Sequence, residues 1–140
     1  MTMTRNEVFD FITKNPICFL ATVEDGSPRV RAIMTLRADE RGVLFNTGAS
    51  KDLHKQIETH PEIEMAFYSQ VEGIQIRVRG RAELQNDDSV RELVLKKLPF
   101  LAPAVAAQGP EILKPYLLRG GRATFWTMKN NFEPKTWIDL

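Results

Sequence analysis

The stretch from Asn46 to Lys51, NTGASK, places small residues, a hydroxyl and an amine before a segment of helical pattern. The N–H groups of a first helical turn have no partners within the helix, and with the helix dipole they favour an anion. Lys51 would add positive charge, although Ser50 can cap a helix without any ligand. The glycine spacing and the Gly-Lys-Ser/Thr ending of a Walker A loop are absent, so a nucleoside triphosphatase is not expected.

Two more polar side chains lie on predicted strands beside this stretch. Arg31, in PRVR, could contact a phosphate through two guanidinium N–H groups, or it could belong to a solvated strand face. Gln75 begins IQIRVRGRAEL, and its amide could read the edge of a heterocycle or simply face water. Neighbouring hairpin strands and one helix start can converge, so the three features together suggest a ligand with a terminal phosphate and a polar ring.

Other chemistry has little support in the residues. His54 and His60 are six apart, which is a poor spacing for two side chains on one helix face, so no metal site is expected. Cys18, the single cysteine, lies in the apolar run ICFLATV and is interpreted as a small buried hydrophobe. A chain with one cysteine, no signal-like N-terminus and no long apolar run is expected in the cytoplasm, away from membranes.

Chain length and net charge limit the number of domains and the kinds of partner that can be expected. The 140 residues fit one domain spanning 1–140, and the formal charge of +1 gives no bulk attraction to nucleic acid or anionic lipid. A nucleic-acid-binding barrel would use the face of Arg77, Arg79 and Arg81 together with stacking aromatics. No aromatic residue is interleaved with these arginines, so nucleic acid is not the expected partner.

The elements that must position these residues are mostly short strands. Thr4 and Glu7 have the spacing of a capping box at the start of a first helix. Apolar runs separated by turn signals then predict five or six antiparallel strands with helices at the edges, which favours a closed barrel. Within residues 28–37 an apolar set of residues alternates with a basic, mixed one, and EILKPYLLR is predicted to be a short helix.

The order of these patterns resembles that of the pyridoxamine 5′-phosphate oxidase-like FMN-binding split barrels. The likeness runs through CFLATVEDGSPRVRAI, then VLFNTGASKDLHKQIETHPEIEMAFY, then GIQIRVRGRAEL. It implies a mainly β fold with flanking helices, a six-stranded antiparallel split β-barrel. It also implies a homodimer that binds two FMN cofactors at the subunit interface.

The resemblance assigns cofactor roles to individual positions. Arg31 corresponds to the strand arginine on the phosphate, and Ser50 and Lys51 correspond to the phosphate clamp. Backbone groups of Ala32 and Ile33 would approach the isoalloxazine ring. The other cofactor-lining positions implied are Asn46 and Thr47 at a strand end, Gln75 near the flavin, and Trp126 over the flavin from the second subunit.

The implied function is an FMN-dependent oxidoreductase of unassigned substrate, with no catalytic side chain identified. Pyridoxamine phosphate oxidases carry an arginine- and histidine-bearing C-terminal segment that binds the pyridoxal substrate. Here no histidine follows His60, so vitamin B6 oxidation is not expected. The alternatives are a non-catalytic flavin-binding or stress-response module, and a relative that binds the deazaflavin F420 or haem.

Overall fold

Strands dominate the computed structural model, which describes residues 2–140. The helices are α1 (Arg5–Lys14), α2 (Asp52–Thr59), α3 (Asp88–Lys97) and α4 (Ala102–Gln108). The strands are β1 (Ile17–Glu24), β2 (Ser27–Met34), β3 (Arg37–Asp39), β4 (Gly42–Gly48), β5 (Glu62–Ser69), β6 (Ile74–Leu84), β7 (Leu113–Leu118), β8 (Arg122–Trp126) and β9 (Ile138–Asp139). The predicted capping box begins α1, because Thr4 and Glu7 exchange both side chain-to-backbone hydrogen bonds, at 3.1 and 3.2 Å.

The sheet curls into a split barrel. Its strands pair in the order β2-β1-β5-β6-β7-β4-β3, and every pairing is antiparallel. Because β3 follows β2 after only two residues, the two ends of this path are one bent strand. The first half of that strand pairs with β1 and the second with β4, giving six positions around the barrel. The prediction of a mainly β, antiparallel split barrel is confirmed. The closed barrel that the turn signals favoured was wrong, because β2 and β4 do not pair with each other.

The barrel branches at β6. Gln75–Arg79 pair with β8, whereas Ala82–Leu84 pair with β7, so one edge of β6 serves two strands in turn. Gly80 lies at the branch, where a Cβ atom would stand 3.1 Å from the Cα of Gly121. The missing side chain lets Gly121, in the turn from β7 to β8, approach the backbone of β6 closely.

The barrel interior is filled by side chains from the inward face of each strand. Phe45, Met65 and Phe67 are fully buried there, and α1 adds Ile12. Cys18 is also fully buried, and burial raises the pKa of its thiol to about 12. The interpretation of Cys18 as a small hydrophobe is therefore confirmed, since a buried thiol stays protonated and unreactive at neutral pH.

Most of the segment EILKPYLLR is a strand, so the prediction of a short helix was wrong, although Glu111 and Ile112 belong to a short 3₁₀ turn. Residues 113–118 form β7 between β4 and β6, and Tyr116–Leu118 are buried on both faces. A continuous apolar run fits a helix and a doubly covered strand equally well. Pro115 is tolerated because the ladder with β6 begins only at Tyr116, and its carbonyl accepts the N–H of Gln85 at 2.8 Å.

The turn between β3 and β4 depends on a glycine. Gly42 has a φ of +128°, and a Cβ atom there would lie 2.4 Å from the carbonyl oxygen of Leu118. We expect Gly42→Ala to lower the free energy of unfolding by about 3 kcal/mol, because both strain and a backbone clash oppose it. Gly120→Ala is the control, since Gly120 also has positive φ but nothing within 4 Å.

The control substitution should lower the free energy of unfolding by only about 1 kcal/mol, the usual cost of a left-handed alanine. Denaturant unfolding followed by circular dichroism measures both values. Equal losses in the two variants would show that the contact with Leu118 does not restrict this turn.

Candidate cofactor cleft

A cleft opens where β2 and β4 separate. Leu36 N–H still donates to Leu44 O at 2.8 Å, and β4 pairs with β3 up to that level. Beyond Leu44, towards Gly48, β4 pairs only with β7, and β2 pairs only with β1. Each strand therefore presents an unpaired edge within the described residues, and α2 follows directly from the end of β4. Irregular openings of this kind, on rigid strands, are common places for ligands.

Arg31 extends from β2 towards α2 and is held in place by buried partners. Its Nη1 donates to Leu20 O at 3.2 Å and to Thr22 Oγ1 at 2.8 Å. Its Nη2 donates to Gln56 Oε1 at 2.5 Å, from α2. The Thr22 hydroxyl donates to the same Gln56 oxygen, which fixes the amide orientation.

The electrostatics place Arg31 close to the first turn of α2. Burial lowers the pKa of its guanidinium, and the nearby carboxylates of Asp52 and Glu24 act in the opposite direction. Asp52 is the first residue of α2. Sequence reasoning missed Gln56, which is only 4% exposed. A polar residue next to Leu53 and Ile57 on the buried stripe of a helix was the signal that could have found it.

The start of α2 differs from the expected cap. Lys51, rather than Ser50, is the N-cap residue, and no side chain caps the helix. The predicted Ser50 cap was therefore wrong: Lys51 N–H donates to Gly48 O at 3.0 Å, a tight turn that moves the helix start one residue later. Free N–H groups and the exposed Lys51 amine remain at this end, an arrangement suited to an anion.

Asn46 and Thr47 lie at the end of β4, beside a pocket whose lining includes no residue of β2. With Ser50 and Lys51 they bound this pocket of about 520 Å³, whose opposite wall includes Phe100 from the connection after α3. Asn46 Oδ1 is buried, and no hydrogen-bond partner reaches it from the described residues. A buried amide oxygen without a donor is costly, so this oxygen fits a ligand that brings a hydroxyl or N–H group.

The other two predicted β2 positions lie on opposite faces of the strand. Ala32 is exposed, and Ile33 packs against the barrel core beside Arg31. The predicted residues Arg31, Ala32 and Ile33 thus lie on β2, and Asn46 and Thr47 lie on β4. Ser50 and Lys51 follow β4, in the connection to α2.

Gln75 and Trp126 do not reach this cleft within one chain. They are directly opposite each other in the β6–β8 ladder, on the outer face of the sheet. Gln75 also faces Tyr68, which is 54% exposed, whereas the cross-strand partner of Arg31, Leu20, is fully buried. Cross-strand neighbours share a face, so the two groups point to opposite sides of the sheet.

The apolar set of residues on β2 lies on this same outer face. Val30 is 68% exposed and Met34 44%, and Phe19 on β1 is 58% exposed beside them. Arg31 and Ile33 occupy the inner face instead. A contiguous apolar patch of this kind on a hairpin is typical of a surface that another protein covers.

The histidines serve structure in different ways. His54 is buried, with its Nδ1 2.6 Å from the Tyr116 hydroxyl and its Nε2 3.3 Å from Glu58. His60 is exposed at the end of α2. Within residues 2–140, no three histidine, cysteine or acidic side chains come together as metal ligands do. Nor is any helix in that range long and apolar enough to cross a membrane.

Solved structures share this fold at low sequence identity. A NimC/NimA family protein from Clostridium acetobutylicum is 22% identical with a TM-score of 0.80, and the match covers 97% of this chain and 93% of that one. A pyridoxamine 5′-phosphate oxidase-related, FMN binding protein from Nostoc punctiforme is 17% identical with a TM-score of 0.66, covering 100% and 99%. A haem binding protein from Mycobacterium smegmatis is 14% identical with a TM-score of 0.69, covering 99% and 59%.

Curated relatives match a shorter stretch. The pyridoxine/pyridoxamine 5′-phosphate oxidase of Brucella anthropi is 36% identical over 69 residues, which is 49% of this chain and 34% of the relative. That of Bombyx mori is 26% identical over 83 residues, 59% of this chain and 32% of the relative. The chain spans about a third of the length of these relatives. The family profile described as pyridoxamine 5′-phosphate oxidase matches residues 4–113, and the chain therefore belongs to the pyridoxamine 5′-phosphate oxidase family.

Proposed function

We propose that this protein is an FMN-binding oxidoreductase whose substrate is still to be assigned. The observation that carries the proposal is that the Arg31 guanidinium bonds to Gln56 of α2, a helix whose uncapped start carries Lys51. The unpaired oxygen of Asn46 lies at the end of β4, the strand that leads to this helix. Two cations and free helix N–H groups suit a terminal phosphate, and the amide oxygen suits a polyol or ring N–H donor. FMN combines these groups in one molecule.

The chain's own residues then have separable roles. Lys51 and the first turn of α2 bind the phosphate, and Thr22 and Gln56 orient the Arg31 guanidinium towards it. Ala32 and Ile33 offer the β2 backbone to the ring, and Asn46, Thr47 and Ser50 line the remainder of the cleft. Bound FMN supplies the hydride and electron chemistry, and the protein's part is to bind, orient and tune it.

The two faces of the sheet suggest a homodimer. Gln75 and Trp126 lie on the outer face, as does the apolar patch of Phe19, Val30 and Met34. A two-fold interface buries the same patch on both chains. Such an interface would carry Gln75 and Trp126 of one protomer towards the cleft of its partner, so each cofactor would contact both chains.

The cofactor clamp can be tested by removing both cations. We expect the Arg31→Ala/Lys51→Ala double variant to weaken FMN binding by about 100-fold or more, since charged hydrogen bonds contribute roughly 1.5–3 kcal/mol each. Calorimetric titration of the flavin-free protein gives the affinity. Circular dichroism verifies folding, which the remaining hydrogen bond between Thr22 and Gln56 should support.

The matched control is Arg29→Ala/Lys55→Ala, which removes the same charges from the same two elements. Arg29 pairs with Glu24 at 3.6 Å, and Lys55 is exposed one turn after Lys51. This control should bind FMN as the unmodified protein does. FMN affinity that is unchanged in the Arg31/Lys51 variant would refute the site. Mass measurement of the chromophore released on denaturation separates FMN from F420 and haem, and reduction by a nicotinamide separates an oxidoreductase from a binding module.

The interface can be tested with one buried charge. We expect Val30→Asp to convert a dimer into monomers and to lower FMN affinity at least about tenfold, because a carboxylate in an apolar interface is strongly disfavoured. Light scattering after size-exclusion chromatography gives the mass. Val71→Asp, at the 98% exposed tip of the β5–β6 hairpin, is the control and should change neither quantity. A monomeric unmodified protein, or a dimeric Val30→Asp variant, would contradict the interface.

A further inference from the structure

The pocket beside Asn46 has two walls of different character. The polar wall is formed by the end of β4 and the connection to α2, and it carries Lys51. The apolar wall comes from the chain between α3 and β7 and is formed by Leu98, Phe100, Leu101, Ile112 and Leu113, with the amide of Gln108 beside them. The polar wall is the one that the proposed function assigns to the cofactor, which leaves the apolar wall for another ligand group.

The apolar wall is held in place from behind. Leu98 and Leu101 pack against the buried cluster of α3, β4 and β7. Leu101 N–H also donates to Leu98 O at 3.1 Å, in the 3₁₀ turn Pro99–Leu101. Ile112 O accepts from Ala49 N–H at 2.9 Å, which joins the two walls at one end. The wall is therefore formed before any ligand enters, and binding needs little reorganisation.

Phe100 is the member of this wall that does not pack inward. Among the described residues that line the pocket it is the only aromatic one, and it is 73% exposed. A 3₁₀ turn has three residues per turn, so Leu98 and Leu101 lie on one side and Phe100, between them, points away from the cluster. An exposed ring at a pocket offers a flat apolar face that a ligand can cover.

The charges of the lining favour a neutral ligand on the apolar wall. Lys51 is the only charged residue among the described lining residues, and it lies on the polar wall, where the phosphate of the proposed cofactor would neutralise it. An ionised group placed against Leu98, Leu101 and Ile112 would lose water without gaining an ion partner, which is strongly disfavoured. The apolar wall therefore discriminates against ionised ligands.

The chain around Phe100 is uncharged as well. Residues 99–110 contain no acidic or basic side chain, and α4, which follows Phe100 directly, consists mainly of alanines. Their short side chains leave the ring exposed, and no local charge attracts an ionised compound to this side of the pocket. The approach to the ring thus agrees with the wall itself in favouring a neutral ligand.

We propose that Phe100 determines the substrate class of the proposed oxidoreductase, namely neutral compounds with a flat apolar ring. The ring stacks on Phe100 and contacts Leu98 and Leu101, and the amide of Gln108 can bond to a polar substituent. This inference rests on the proposed function, because the cofactor and the substrate occupy opposite walls of one pocket.

Three bicyclic probes separate charge from shape: 2-naphthol is neutral and flat, 2-naphthoate is anionic and flat, and decahydro-2-naphthol is neutral and puckered. Calorimetric titration into the FMN-loaded protein should show saturable binding of 2-naphthol. It should be at least about tenfold tighter than that of 2-naphthoate and at least about fivefold tighter than that of decahydro-2-naphthol. Equal affinities for 2-naphthol and 2-naphthoate, or no binding of 2-naphthol at millimolar concentration, would overturn the proposal.

Two exposed phenylalanines provide a matched pair of variants. Phe100 lines the pocket, whereas Phe132 is 97% exposed and does not line it. We expect Phe100→Ala to lose at least about tenfold in 2-naphthol affinity and Phe132→Ala to change it less than about twofold. Phe100→Leu keeps an apolar side chain without a flat face, so it should lose the preference for 2-naphthol over decahydro-2-naphthol. Similar losses in Phe100→Ala and Phe132→Ala would refute the assignment.

Measurements of FMN affinity separate this inference from the proposed function. Because the apolar wall is formed without the cofactor, 2-naphthol should bind the flavin-free protein within about threefold of its affinity for the loaded protein, and Phe100→Ala should bind FMN within about twofold of the unmodified protein. Binding of 2-naphthol that depends on Phe100, in a protein that does not bind FMN, would contradict the proposed function alone.

The opposite outcomes would contradict this inference alone. If FMN competes with 2-naphthol, or if Phe100→Ala loses FMN, the ring contacts the cofactor instead of the substrate. A changed molecular mass of Phe100→Ala in light scattering would assign the ring to a subunit interface.

Discussion

The fold depends on one bend, where the strand that begins as β2 continues as β3. Thr35 holds the bend, since its N–H and its hydroxyl both donate to Pro16 O, at 2.8 and 3.1 Å. After the bend the chain pairs with β4 instead of β1. A straight strand could pair with β1 or with β4 but not with both, and the barrel would then lose one of these pairings. The cleft therefore follows from the geometry that brings the two ends of the sheet together.

Arg31 needs hydrogen-bond acceptors at this position, and α2 supplies one of them. The Arg31 guanidinium is partly withdrawn from water, and a buried cation needs hydrogen-bond acceptors. Leu20 O, Thr22 and Gln56 provide them from three directions. The same hydrogen bonds join α2 to β1 and β2. Gln56, which orients the Arg31 guanidinium, therefore also positions α2 on the sheet.

Local chemistry explains what the sequence predicts well. The capping box at Thr4 and the hairpin turns both depend on neighbours within a few residues. These local structures do not require contacts between residues distant in sequence. The family resemblance added the split-barrel architecture, which short-range patterns do not contain.

The remaining features depend on contacts distant in sequence. β7 is a strand because it pairs with β4 on one edge and β6 on the other, and the residues of EILKPYLLR do not indicate these partners. The inner and outer faces of β2 were likewise undetermined, because alternation shows that two faces differ but not which one a partner will cover. Gln56 belongs to the cleft only because β1 and β2 bring Thr22 and Arg31 beneath α2.

The β8 edge and the β2 edge of the sheet differ in how far another strand covers them. At β8, the short strand β9 pairs with Arg122 and Ala123, so the start of this edge is covered. The β2 edge along the cleft has no such cover within residues 2–140. An extended segment could add there by main-chain hydrogen bonding, as edge strands allow. A ligand seated along β2 would therefore also protect the chain from edge-to-edge aggregation, and the ligand-free chain carries that liability.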